Sequence, residues 1–135
     1  MDNIQSDLVA LLASEPNDVK LFSRAEAENL AAAIRETFGD ARCKSDPIWE
    51  TLRESEAYSG DEANTQVRER LKDFPGPLVL LIDDWHGYSA LRIPTGDRLL
   101  SLLERAYKFR WYISDLELTF VLCRNDHDIV IFCRR

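Results

Sequence analysis

The sequence predicts an α+β domain: helices first, then a mixed, mostly antiparallel sheet of four to five strands with one crossover helix. Three observations predict it. Apolar residues recur at helical spacing through the first 73 positions. A stiff turn, Phe74-Pro75-Gly76-Pro77, follows. Beyond it the period changes to continuous or alternating apolar runs.

In chain order, Ile4, Leu8, Leu11 and Leu12 predict a short amphipathic helix over 3–13, ended by Pro16 and Asn17. Ser23 and Glu26 have the spacing of a capping box, in which each side chain satisfies the other's backbone N–H. Ala27, Leu30, Ala31, Ile34 and Phe38 then form one stripe, and Gly39 stands where a left-handed C-terminal cap is expected. Asp46-Pro47 marks another helix start, with Ile48, Trp49 and Leu52 facing inward. Ser59-Gly60-Asp61 reads as a break before a polar helix over 62–72, which carries Val67 and Leu71.

Leu78 to Ile82 is continuously apolar, as in a strand buried on both faces. Tyr88 to Ile93 predicts a second strand. Leu99, Leu100, Leu103, Ala106 and Tyr107 mark the crossover helix, which suggests a parallel pair of strands around it. Phe109, Trp111 and Ile113 alternate with Lys108, Arg110 and Tyr112, the pattern of a half-buried strand. For the last hairpin, a tight turn at Arg124-Asn125-Asp126-His127 would set Leu122 against Ile129, Phe120 against Ile131 and Val121 against Val130. No repeat or second domain interrupts residues 1–135, which read as one domain.

Composition narrows the function classes. Apolar residues make up 45% and charged residues 30%, unlike a disordered or collagenous chain. Net charge is −7, and all of it lies in the first half: residues 1–73 hold sixteen acids and nine bases, residues 74–135 eight of each. That balance repels a nucleic-acid backbone, and Arg134-Arg135 is too small a basic patch to reverse it. It suits either a solvated helical surface or a basic protein partner. Asp2 and Asp7 stand where a signal peptide needs positive charge, and no apolar run reaches the length of a membrane span. Cys43, Cys123 and Cys133 do not form a disulfide framework. Together these features lead to the expectation of a cytoplasmic protein without a membrane association.

No Gly-rich phosphate loop, HExxH, GxSxG or CxxC is present, and no cofactor is implied. Asp83, Asp84 and His86 follow the buried strand, and Asp126, His127 and Asp128 flank the last turn. The plain reading of both clusters is turn and cap duty. If they met in space, Asp83, Asp84, His86, Asp126 and His127 would suit a small metal-dependent hydrolase. Cys43 lies between Arg42 and Lys44, which would lower its pKa, but an inert packing role is the plain reading of all three thiols. Trp111 fits the apolar face of its strand. Trp85, beside Asp83-Asp84 in a loop, reads as a lid on the core or as a protein-binding anchor.

The run Trp111-Tyr112-Ile113-Ser114-Asp115, then Phe120-Val121-Leu122-Cys123 and Asn125-Asp126-His127-Asp128, resembles the C-terminus of small bacterial immunity proteins. These are the cognate inhibitors in contact-dependent growth inhibition and related polymorphic toxin systems. The resemblance covers about the last 30 residues. It implies a cytoplasmic protein with no enzymatic activity that binds a toxin domain, often a basic nuclease, and occludes its active site. No binding residue carries over from the resemblance; the acidic excess of the first half points to Glu50, Glu54, Glu56, Asp61 and Glu62 as partner-binding residues, with Asp84 and Trp85 as a second patch. An adaptor role shares the same surface.

Overall fold

The computed structural model describes residues 18–39, 48–52, 55–83, 87–105, 110–125 and 127–135. The helix expected over 3–13 and the Asp46-Pro47 helix start lie outside them. In chain order the elements are β1 (Lys20–Leu21), α1 (Arg24–Phe38), α2 (Ile48–Thr51), β2 (Glu56–Tyr58), α3 (Gly60–Leu71), β3 (Leu78–Asp83), β4 (Tyr88–Ile93), α4 (Gly96–Arg105), β5 (Arg110–Asp115), β6 (Phe120–Arg124) and β7 (Val130–Arg134).

The class is α+β, but the sheet has seven strands rather than four or five, in the order β1-β4-β3-β5-β6-β7-β2. The two extra strands are its edges, and both come from the first half, so strands and helices interleave there. Runs of two and three residues are too short to display an alternation, which is why periodicity passes over them. Every described neighbour pair is antiparallel. β3 runs against both β4 and β5. The strands flanking the crossover helix are therefore parallel to each other, as expected, yet β3 lies between them and they share no hydrogen bonds.

Helices cover both faces. On one, Ala63, Val67 and Leu71 of α3 and Leu99 and Leu102 of α4 pack on Leu78, Leu80, Ile82, Leu91, Ile113 and Leu122. On the other, Ala27, Ala31, Ile34 and Phe38 of α1 and Ile48 of α2 pack on Leu81, Ala90, Tyr112, Val121, Cys123 and Cys133. The alternating side chains of β3 thus enter two separate cores, which is what its unbroken apolar run requires. The same double cover corrects the reading of β5 as half-buried. Arg110 to Ser114 are all buried, and Tyr112, only 1% exposed, accepts a hydrogen bond on its hydroxyl from the Trp49 N–H at 3.2 Å.

Helix α1 forms as its sequence dictates. The Ser23 hydroxyl accepts from the Glu26 N–H at 3.1 Å, and the Glu26 carboxylate accepts from the Ser23 N–H at 2.9 Å. Hydrogen bonding of the carboxylate by the Ser23 backbone N–H, and then by the Ser23 hydroxyl, holds the Glu26 carboxyl below its ordinary pKa. A depressed carboxyl stabilises the fold above its unfolded pKa, and the contribution is lost as pH falls through the folded value. Ser23→Ala should lower stability by about 1 kcal/mol, read as a shift in the urea midpoint, and should weaken the acid-side pH dependence of that midpoint.

Gly39 is not the expected left-handed cap. Its φ is −92° and its ψ 168°, extended backbone, and it bridges to Leu52. The glycine is needed for space instead: a Cβ there would stand 2.5 Å from Thr51 Oγ1 and 2.7 Å from the Arg35 carbonyl oxygen. Ser59-Gly60 proves to be a helix start rather than a break, with α3 running from Gly60.

The last hairpin also departs from its expected register. Phe120 faces Arg134, Val121 faces Cys133, Leu122 faces Phe132 and Cys123 faces Ile131. The pairing is three residues away from the expected one. The turn is wider, closed by the Asn125 N–H on the Ile129 carbonyl at 3.1 Å. The expected register rested on separating an apolar face from a mixed one. With both faces buried, that criterion loses its force.

Cys123 and Cys133 are free and buried in the core under α1 and α2. Burial pushes the Cys123 thiol up to about 12. In a Cys43→Ser background neither thiol should react with a thiol-specific chromogenic disulfide at pH 8 until the protein unfolds, when both react. A thiol pKa raised by folding stabilises the protein below the unfolded value and is lost above it. The midpoint should therefore fall as pH climbs from about 9 towards about 12.

Candidate interaction surface

Strand direction decides which residues share an end of the sheet. Asp83 pairs with both Tyr88 and Arg110, Trp111 with Arg124, and Val130 with both Arg124 and Tyr58. The ends of β2, β3 and β6 and the starts of β4, β5 and β7 therefore lie together. Asp83 of the first Asp/His cluster, and His127 and Asp128 of the second, lie at this one end. The strands that carry them, β3 and β6, are separated by β5, two strand spacings or about 10 Å of backbone.

The β6–β7 turn is built around Asn125, which is 3% exposed. Its Oδ1 accepts from the N–H groups of His127 at 2.9 Å and Ile129 at 3.1 Å. Its carbonyl accepts from the Asp128 N–H, and Asp128 adopts a φ of 59°, which an aspartate tolerates better than most residues. His127 and Asp128 are left exposed. The His127 ring meets the Trp49 ring edge-on, with centroids 5.9 Å apart, which ties the turn to α2. Glu50, next to Trp49, is exposed.

On the opposite face the first turn of α3 reaches the same end. Asn64 Oδ1 accepts from Arg124 Nη2 at 2.7 Å, and this bond links α3 to the last residue of β6. Asp61 and Glu62 are exposed in that first turn, where carboxylates also complement the helix dipole. Glu62 accepts from the Gln66 side chain at 2.9 Å. Glu50, Asp61, Glu62 and Asp128 thus rise from both helix layers and from the turn around one end of the sheet.

Glu56 does not join them. It sits on β2 opposite Phe132, further from the loop end than Tyr58. Its carboxylate accepts from the Tyr58 hydroxyl at 2.7 Å and lies 3.7 Å from Arg70 Nη2. The Arg70 guanidinium in turn stacks 3.6 Å over the Phe132 ring. The hydrogen bond to Glu56 raises the Tyr58 phenol above its ordinary pKa. A neighbouring cation offsets the charge of Glu56, so it offers a basic partner less than an isolated carboxylate would. Glu54, Asp84 and Trp85, like His86 and Asp126, lie outside the described residues.

Asp83 is engaged as well. Its Oδ2 lies 3.0 Å from Arg110 Nη2, with the side chains 12% and 7% exposed. Beside this pair, α1 grips the first residues of β4. Arg24 Nη1 donates to the Tyr88 carbonyl at 2.6 Å and to Ser89 Oγ at 3.3 Å, while Glu28 accepts from the Tyr88 N–H at 2.8 Å. Burial raises the Tyr88 phenol pKa, and the Asp83 charge adds to that.

Sequence reasoning placed Asn125 in the turn but missed Arg24, Glu28 and Arg110 as residues that fix this end. Only the four-residue spacing of Arg24 and Glu28, which puts both on one helix face, was a signal. Among the described residues no group of three or more His, Cys, Asp or Glu side chains is placed to hold a metal ion. No helix among them is long and apolar enough to cross a membrane. Comparisons with protein-family models, curated proteins and solved structures find no match.

Proposed function

We propose that the chain is a non-enzymatic, cytoplasmic immunity protein that binds a cognate bacterial toxin domain, basic in character, and occludes its active site. The observation that carries this reading is the placement of Glu50, Asp61, Glu62 and Asp128, all exposed, around one end of a sheet braced by the Asp83–Arg110 pair. Opposite charge speeds encounter and disfavours wrong partners, and a rigid frame lowers the ordering cost of binding. The acidic excess of the first half and the resemblance of the terminal hairpin support the same reading. Glu54, Asp84 and Trp85 remain proposed partner-binding residues by sequence alone, and Glu56, tied to Tyr58 and Arg70, is left out of the proposed contact. The test is a toxin domain encoded beside this gene. Nanomolar binding, with rescue of cells that express the toxin, is expected; no binding and no rescue refute the proposal.

A second reading, a small metal-dependent hydrolase, draws on Asp83 and His127, which lie at the same end of the sheet. It requires a stoichiometric metal in the purified protein that His86→Ala removes. On the reading preferred here, elemental analysis finds none. An adaptor role would share the acidic surface, and the identity of the bound partner separates it from toxin inhibition.

A further inference from the structure

We draw no further inference here: the strongest candidate, the exposed carboxylates of α2, the first turn of α3 and the β6–β7 turn at the loop end of the sheet, belongs to the surface already described, and no second feature there points to another ligand.

Discussion

Gly96→Ala is expected to destabilise the fold by about 3 kcal/mol, at the upper end of what overpacking costs, because the added methyl has no space. A Cβ at this position would stand 1.7 Å from the Leu71 carbonyl oxygen and 2.8 Å from both Leu71 C and Phe74 Cβ. Two of those three atoms are backbone, so no rotamer change relieves the clash. Gly96 is where α4 begins, and its N–H donates to the Phe74 carbonyl at 3.1 Å. The start of one helix is thus pressed against the end of another. The substitution forces α3 and α4 apart and opens the core they share with Leu78 and Ile93. Gly60→Ala is the control. Gly60 has a φ of +61° but nothing within 4 Å of its missing Cβ, so the cost is backbone strain of about 1 kcal/mol. Urea midpoints of the two variants should differ in that order.

Asp83→Ala should cost about as much or more, roughly 3–5 kcal/mol, for an electrostatic reason. Arg110 is 7% exposed, and its guanidinium lies 3.0 Å from the Asp83 carboxylate. Removing the anion takes a charged partner from a cation on β5 that water hardly reaches. Set against the 5–15 kcal/mol typical of a whole domain, that is a large fraction of the total. The paired replacement Asp83→Leu with Arg110→Met separates this account from simple loss of packing. Apolar side chains of similar volume remove both charges together, so the double variant should recover most of the stability that either single change loses. If the double variant is as unstable as the sum of the singles, the ion pair is not the cause.

Neither effect was legible in the sequence, where Asp83 reads only as a turn residue or a metal-site candidate, and the reason is physical. Local patterns found what is decided locally: the Ser23–Glu26 capping box, the stripe of α1, and the twofold burial of β3 read from Leu78 to Ile82. What depends on contacts remote in sequence stayed hidden. β1 and β2 exist because a neighbouring strand supplies their hydrogen bonds, since two and three residues have no period of their own. Arg110 looked like a solvent-facing residue of an alternating strand until α1 and α2 covered that side and Asp83 arrived opposite it. The hairpin register failed for the same reason. The candidate surface was legible in part. Its charge was plain from composition, and Glu50, Asp61 and Glu62 reach one end of the sheet together. The separation of Glu56 from them could not be read, because it depends on Arg70, fourteen positions along the chain.

In the proposed function, the loop-end carboxylates are the feature that draws in a basic partner. Stopped-flow association with the proposed partner, a cationic toxin domain sought beside the gene, tests this most directly, with Glu50→Lys/Glu62→Lys compared against Glu69→Lys/Glu117→Lys. The two variants change net charge equally. Glu69 lies in the last turn of α3, and Glu117 in the β5–β6 turn at the opposite end. At low salt the loop-end variant should associate about tenfold more slowly than the other, and the gap should close as salt screens it. Equal rates for the two variants at low salt would contradict the account.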